Sequence, residues 1–186
     1  MVDIYRCWEL WALAGRTAGL PGDCLEVGVW RGGTGCLIAK KCELVGSKSR
    51  VWLCDTFAGV VKAGEADPSY RGGEHKDTSP DHVRDLATGM GLANVEILKG
   101  IFPEETSHRL GERPIRLCHI DVDVYRSAKD ILEWVWPRLP HGGVVVFDDY
   151  GFASTAGVTR LVQEEYVERE ALLIENLNGH GLLIKV

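Results

Sequence analysis

Short apolar runs alternate with amphipathic stretches along the whole chain, and these two periodicities predict alternating strands and helices. The apolar runs predict seven strands, at residues 24–29, 50–55, 95–99, 115–122, 143–148, 171–177 and 181–186. Helical spacing predicts helices at residues 4–17, 80–89 with Ser79 as cap, 127–139 with Ser127 as cap, and 155–170. Near-continuous hydrophobic strands separated by helices indicate a parallel sheet that is covered on both faces. Because Asn178-Gly179-His180 predicts a hairpin, we expect an α/β fold with a mostly parallel sheet and an antiparallel C-terminal hairpin.

Length and composition agree with one domain over residues 1–186, since 186 residues, 45% hydrophobic and 26% charged, are typical of a single globular domain. We find neither an internal repeat nor a linker. About twenty residues precede the first predicted strand. The least patterned stretch, residues 58–79, is rich in glycine, aspartate and charge, and we interpret it as a lid over a site.

The charge balance argues against some classes of partner. Lys+Arg 21 against Asp+Glu 27 gives a net charge of −6, so no basic surplus favours nucleic acid or an anionic membrane. No apolar stretch is long enough for a membrane span, and no signal peptide opens the chain. The six cysteines form no CxxC pair, and Cys24, Cys54 and Cys118 lie in apolar runs. We therefore expect a cytoplasmic protein with buried, reduced thiols; a homo-oligomer stays open.

The first predicted strand ends in a glycine-rich turn, Glu26-Val27-Gly28-Val29-Trp30-Arg31-Gly32-Gly33-Thr34. Ligands of open parallel sheets bind at the carboxyl ends of the strands, and glycines let the backbone approach them. The spacing Glu-x-Gly-x-x-x-Gly-x-Thr is not the dinucleotide pattern, because Trp30 occupies the second glycine position. It is the spacing seen in class I S-adenosylmethionine (SAM) methyltransferases, where Gly28 and Gly32 would cradle the methionine part and Glu26 would support the loop or the amino group. Thr34 belongs to the same set of candidate cofactor-binding residues. A purely structural glycine turn is the alternative.

An acidic residue, Asp55, ends the second predicted strand, where a carboxylate can accept hydrogen bonds from ribose hydroxyls. Thr56 and Phe57 follow directly and are further candidates for cofactor binding. Phe57 could shield the cofactor, with core packing as the alternative. Together with the glycine turn, Asp55 predicts a nucleoside-type cofactor.

Acidic residues also follow the fourth and fifth predicted strands, at Asp121, Asp123, Asp148 and Asp149. If these strands are neighbours, Asp121, Asp148 and Asp149 converge at one edge of the sheet. Three carboxylates in one cleft resist ionising together unless a cation offsets them. Oxygen ligands without cysteine or histidine favour Mg²⁺ over Zn²⁺. Asp123 alternates with Asp121 along the strand, so we expect it to point elsewhere and omit it from the metal set.

Five segments in this order carry a resemblance to a known family: CLEVGVWRGG at 24–33, DTFAG at 55–59, KGIFPE at 99–104, HIDVDVY at 119–125 and VFDDY at 146–150. The sequence resembles the macrocin O-methyltransferase (TylF-type) family, whose members methylate sugar hydroxyls on macrolides and related natural products. The resemblance covers about residues 20–177. It implies the three-layer, Rossmann-like sheet of class I methyltransferases.

The resemblance also implies roles for particular residues. Asp121, Asp148 and Asp149 match the family's Mg²⁺-binding aspartates, and Gly100, Ile101 and Phe102 fall where such enzymes hold the adenine. Val124 stands where catechol O-methyltransferases have a lysine base, so a catechol-type lysine mechanism is not expected.

The implied reaction is Mg²⁺-dependent transfer of a methyl group from SAM to a hydroxyl of a small-molecule acceptor, a sugar of a natural product. The first candidate for the base is Asp121 and the second is His75, in the 58–79 loop. Two other functions stay open. A non-catalytic module could bind SAM or a nucleotide, and a glycosyltransferase could use Asp121-Val122-Asp123 as a DxD metal motif, although the glycine turn favours SAM.

Overall fold

The sheet predicted from the sequence is present in the computed structural model, which describes residues 2–169 and 171–186. Its strands are β1 (Asp23–Val27), β2 (Val51–Asp55), β3 (Val95–Lys99), β4 (Ile115–Ile120), β5 (Val144–Phe147), β6 (Ala171–Glu175) and β7 (Gly181–Lys185). They form one sheet in the order β3-β2-β1-β4-β5-β7-β6. The first five strands are parallel, and β7 is antiparallel to β5 and β6. The seven-stranded, mostly parallel sheet with an antiparallel C-terminal hairpin is therefore confirmed.

Helices cover both faces of this sheet and make three layers. They are α1 (Ile4–Arg16), α2 (Gly33–Leu44), α3 (Pro80–Gly89), α4 (Tyr125–Val135) and α5 (Ala156–Glu168). Apolar side chains of α1, α2 and α3 pack against one face, and those of α4 and α5 pack against the other. Among the described residues, none of the helices is both long and apolar enough to cross a membrane.

The predicted buried thiols lie in these apolar layers. Cys24 packs on the α1–α3 side, whereas Cys54 and Cys118 pack on the α4–α5 side. All three are free thiols. Residues of opposite parity on each strand thus fill opposite layers, as the pleat of a strand requires.

The largest differences from the predicted helix boundaries are at the two ends of α4. Helix α4 begins at Tyr125 rather than after Ser127, because Asp67 of the 58–79 loop accepts the Tyr125 backbone N–H at 2.8 Å and takes over the capping role. The Ser127 hydroxyl instead donates to the carbonyl of Val61 at 2.9 Å. The helix ends at Val135, and a short 3₁₀ turn that contains Pro137 follows, so the predicted end at residue 139 is wrong.

The other helix starts agree more closely. Ser79 accepts the backbone N–H of His82 at 3.2 Å and precedes Pro80, which confirms the predicted cap of α3. Helix α5 begins at Ala156, one residue after the predicted start, and its predicted end at Glu170 lies outside the described residues.

Candidate functional site

A cavity of about 240 Å³ opens at the carboxyl ends of the five parallel strands, β1 to β5. The 58–79 loop and the first turns of α4 form its remaining walls, with Tyr70 and His75 from the loop and Ser127 from the helix. Residues 56–79 are all described, and no helix or strand forms among them. The cavity lies where an open parallel sheet binds its ligands.

Glycine is required in the turn after β1 by close backbone packing. Gly28 has a φ of +89°, and a Cβ built on it would overlap the backbone oxygen of Asp121. Gly32 has a φ of +83°, and its Cβ would lie 2.8 Å from Val83 of α3. Gly28 lines the cavity, whereas Gly32 supports the turn from outside the lining. The packing of the backbone therefore requires glycine at both positions, whether or not these residues also bind a ligand.

The carboxylate of Asp55 fastens this turn to the end of β2. Its Oδ2 accepts the backbone N–H groups of Val29 and Trp30, each at 2.8 Å, and its Oδ1 accepts that of Phe57 at 2.7 Å. Asp55 also lines the cavity. A carboxylate has about four acceptor sites, so three amide bonds leave about one for a ligand.

The other predicted cofactor-binding residues divide into two groups. Thr56, Gly100, Ile101 and Phe102 line the cavity together with Gly28 and Asp55. Four residues lie behind that lining: Glu26 is fully buried, Thr34 and Gly32 lie at the start of α2, and Phe57 packs in the apolar layer on the α1–α3 side. Direct cofactor contact stays a prediction for both groups.

Three carboxylates converge on the same cavity. Asp121, Asp123 and Asp149 each offer an oxygen, and these oxygens lie within 4.8 Å of one another. The expectation that Asp123 points elsewhere is wrong, because β4 ends at Ile120 and the alternation of a strand no longer applies beyond it. Asp123 turns back with a φ of +65°. We call Asp121, Asp123 and Asp149 the acidic cluster.

Two side chains of the 58–79 loop contact the acidic cluster. The Tyr70 hydroxyl donates to Oδ1 of Asp123 at 2.9 Å. Nε2 of His75 lies 3.9 Å from Oδ2 of the same carboxylate. Of the two predicted bases, Asp121 is a member of the cluster and His75 is beside it.

Electrostatics in the cluster disfavour three negative charges. Burial, and then the nearby charge of Asp148, raise the pKa of Asp121 well above its ordinary value. Burial raises the pKa of Asp123 to about 6, against the lowering effect of the hydrogen bond from Tyr70. A divalent cation would relieve this repulsion, and carboxylate oxygens are the ligands that Mg²⁺ prefers.

Asp148, the third member of the predicted metal set, lines the cavity but is bonded on its far side. Its Oδ2 accepts a hydrogen bond from Nη1 of Arg6 at 2.7 Å, and its Oδ1 accepts one from Nε2 of His180 at 2.8 Å. Nε2 of His119 is 3.6 Å from the same Oδ1. Burial would raise the pKa of Asp148, but the nearby rings of both histidines and the charge of Arg6 hold it well below its ordinary value. The structure thus groups Asp121 and Asp149 with Asp123, and leaves Asp148 adjacent to them.

Arg6 is a site residue that the sequence analysis missed. Besides Asp148, its Nη1 contacts Oδ1 of Asp149 at 2.8 Å, so one guanidinium from α1 bridges two predicted metal ligands. A signal was present, because Arg6, Leu10 and Ala14 recur at i, i+4 and i+8 and form the buried face of α1. A charged residue on an apolar face predicts a buried partner of opposite charge.

Uncommon backbone conformations also concentrate here. Trp30, His75, Asp123 and Asp149 all have positive φ values and all line the cavity. Such conformations cost about 1–3 kcal/mol each and cluster at functional sites. The cavity is therefore the strongest candidate site in the described part of the chain.

Comparisons with solved structures show the fold. The O-methyltransferase NovP has a TM-score of 0.85, with 24% identity over 99% of this chain and 81% of that chain. CalS11, a calicheamicin methyltransferase, has a TM-score of 0.82, with 19% identity over 98% of this chain and 80% of that chain. The sheet is thus the Rossmann-like sheet of methyltransferases, as predicted.

Comparisons with curated proteins find natural-product enzymes. One is the 8-demethyl-8-(2,3-dimethoxy-alpha-L-rhamnosyl)-tetracenomycin-C 4'-O-methyltransferase of Streptomyces olivaceus, 34% identical over 71% of this chain and 54% of that protein. Another is the mycinamicin III 3''-O-methyltransferase of Micromonospora griseorubida, 33% identical over 71% of this chain and 56% of that protein. The chain spans about half the length of these relatives. Residues 12–176 match the family described as macrocin-O-methyltransferase (TylF), and the chain belongs to that family.

Proposed function

We propose that the protein is a Mg²⁺-dependent O-methyltransferase that moves the methyl group of SAM to a sugar hydroxyl of a natural product. One observation carries this proposal: a single cavity joins the glycine turn after β1, the ends of β2 and β3, and the acidic cluster. A methyl donor and a metal-bound acceptor must meet at such a junction. The names of the two curated relatives, which specify 4'- and 3''-O-methylation, support a glycosylated acceptor.

The cavity wall suits SAM. Gly28 lets the backbone come close to the methionine part, and Asp55 keeps about one acceptor site for a ribose hydroxyl. Ile101 and Phe102 offer an apolar surface to the adenine, and Phe102 is held edge-on by Trp134 at a centroid distance of 4.9 Å. When bound, SAM supplies a methyl group on a positively charged sulfur.

The acidic cluster suits Mg²⁺, because its donors are all carboxylate oxygens and their repulsion calls for a cation. We assign the ion to Asp121 and Asp149, which belong both to the predicted set and to the cluster. Asp148 is the third ligand that the family resemblance implies, and Asp123 is the ligand that the geometry adds. When bound, the ion supplies Lewis acidity that lowers the pKa of an acceptor hydroxyl.

The proton of that hydroxyl needs a base from this chain. Asp121 is our first candidate, since it lies in the cluster, and His75 is the second. The 58–79 loop forms one wall of the cavity and is anchored at two points. Asp67 anchors it to α4, and Asp77 anchors it to the glycine turn by accepting the indole N–H of Trp30 at 2.8 Å. A site that excludes water strengthens the electrostatic contacts within it.

The six free cysteines, five of them buried, fit a reducing cytoplasm, where we propose that the protein works.

Calorimetry separates this proposal from the two alternatives. We expect SAM and S-adenosylhomocysteine to bind, and Asp149→Asn to weaken Mg²⁺ binding without weakening S-adenosylhomocysteine binding. Binding of SAM without any effect of Mg²⁺, and without turnover of any glycosylated acceptor, would favour the non-catalytic module. Mg²⁺-dependent binding of a nucleotide sugar in place of SAM would favour the glycosyltransferase.

A further inference from the structure

A row of buried polar side chains extends from Asp148, which lines the cavity next to the acidic cluster, into the interior of the protein. His119 contacts Glu26 through Nδ1 at 2.8 Å and Asp148 through Nε2 at 3.6 Å. His180 contacts Glu9 through Nδ1 at 2.6 Å and Asp148 through Nε2 at 2.8 Å. Nε2 of both histidines therefore faces the same Asp148 oxygen, Oδ1, and Nδ1 of each ring contacts a glutamate.

Packing alone does not explain this row of polar side chains. Glu26, His119 and His180 have no exposed surface at all. Glu26 and His119 occupy strand positions whose neighbours on the same sheet face are apolar, such as Cys24 and Leu117. Burying ionisable groups is unfavourable unless they are paired, so an apolar side chain at these positions would serve the core better. A polar role is the better explanation.

The geometry of Asp148 indicates what that role is. Its Oδ2 accepts a hydrogen bond from Arg6 and its Oδ1 accepts one from His180, so about two of its four acceptor sites are occupied from within the protein. Nε2 of His119 lies 3.6 Å from the same Oδ1, too far for a hydrogen bond but close enough for an electrostatic contact. The other acceptor sites belong to a carboxylate that lines the cavity. Histidines that are themselves oriented by carboxylates, and ligating carboxylates that are themselves hydrogen-bonded, are typical of the layer around a metal site.

We infer that His180, through its hydrogen bond, and His119, through its electrostatic contact, are positioning residues, which together with Glu9 and Glu26 fix the Asp148 carboxylate so that a free acceptor site serves the metal. This inference rests on the proposed function, because it assigns Asp148 a part in the Mg²⁺ site. A positioning role can be distinguished from a purely structural one. If the histidine positions Asp148, Mg²⁺ affinity depends more on the N–H that donates to Asp148 than on the nitrogen that contacts the glutamate.

Two conservative variants of His180 test this difference. The side-chain amide of glutamine in His180→Gln reaches the place of Nε2 and can donate to Asp148. The shorter asparagine in His180→Asn reaches the place of Nδ1 and can donate only toward Glu9. We expect His180→Asn to weaken calorimetric Mg²⁺ binding by about 10- to 100-fold, and His180→Gln to recover most of that loss. S-adenosylhomocysteine affinity should stay within about twofold of wild type in both.

A matched control is Cys118→Ala, since Cys118 is fully buried beside His119 but packs on the opposite face of the sheet. We expect it to lower thermal stability and leave Mg²⁺ affinity unchanged. Equal losses of Mg²⁺ affinity in His180→Asn and His180→Gln would overturn the inference. So would a stoichiometric transition metal in the purified protein, bound through the histidine nitrogens.

A measurement without Mg²⁺ separates this inference from the proposed function. In histidine-¹⁵N-labelled protein, we expect a slowly exchanging, hydrogen-bonded Nε2–H proton on His180, and Asp148→Asn should shift this proton and the ring protons of the neighbouring His119. If the wild type binds no Mg²⁺, the proposed function fails, while shifted ring protons still support the positioning of Asp148. Ring protons that do not respond to Asp148→Asn would overturn the inference even if Mg²⁺ binds.

Discussion

The replacement Gly28→Ala tests whether the turn after β1 is set by close backbone packing. The new Cβ would overlap the backbone oxygen of Asp121, and the residue would have to keep a φ of +89°. The left-handed conformation costs about 1–2 kcal/mol for a residue with a Cβ. Overpacking against rigid backbone adds about 1–3 kcal/mol. We therefore expect Gly28→Ala to lower the free energy of unfolding by about 2–5 kcal/mol.

Urea denaturation measures this loss, and calorimetry with S-adenosylhomocysteine measures its effect on the cavity. The matched control is Gly33→Ala in the same turn, where no atom lies within 4 Å of the new Cβ and α2 begins. Alanine in a helix is favoured over glycine by up to about 1 kcal/mol, so the control should be as stable as wild type or slightly more stable. Equal stability of the two variants would refute the packing argument. We expect Gly28→Ala also to weaken S-adenosylhomocysteine binding, and unchanged affinity would remove Gly28 from the proposed cofactor site.

Three further predictions concern the walls of the site. Arg6→Met removes the cation between Asp148 and Asp149 and should lower the free energy of unfolding by about 3–5 kcal/mol, and Mg²⁺ should recover part of this loss. The control is Arg16→Met, since Arg16 is exposed on the same helix. An Arg6→Met variant as stable as the wild type would contradict the ion-pair geometry. Asp67→Ala should cost about 1–2 kcal/mol and speed proteolysis within residues 58–79, whereas Glu65→Ala on the exposed side of the loop should do neither. Asp149→Asn should weaken Mg²⁺ binding about tenfold or more while methyl-donor affinity is kept, and unchanged Mg²⁺ affinity would remove Asp149 from the metal site.

The sheet could be predicted because its signal is local. Apolar runs, strand lengths and the Asn178-Gly179 turn are each read within a few residues, and the parallel order follows from the intervening helices. The meeting of Asp121 and Asp149 was also predictable, since the carboxyl ends of neighbouring parallel strands lie at one sheet edge. The pairing of β4 with β5 is the condition for it, and the structure has that pairing.

The orientation of Asp123 was not predictable from alternation. The apolar pattern extends to Val122, but the strand ends at Ile120, and a two-residue difference at a strand end changes which side chains face the cavity. Strand ends are the least certain part of a sequence-based assignment, and here the end of β4 decides the composition of the acidic cluster.

The layer behind Asp148 was out of reach for a different reason. Arg6 and Asp148 are 142 residues apart, and Glu9 and His180 are 171 residues apart. A charged residue on the buried face of α1 signals a partner, but the identity of that partner depends on how α1 docks against β5 and β7. No local pattern carries that information.

Methyl transfer in the presence and absence of Mg²⁺ tests the central claim most directly. The purified protein is incubated with SAM and a rhamnosylated polyketide, with either Mg²⁺ or a chelator, and the acceptor is analysed by mass spectrometry. We expect the acceptor to gain one methyl group when Mg²⁺ is present and none when it is removed. Transfer that continues unchanged with the chelator would contradict the role given to the acidic cluster.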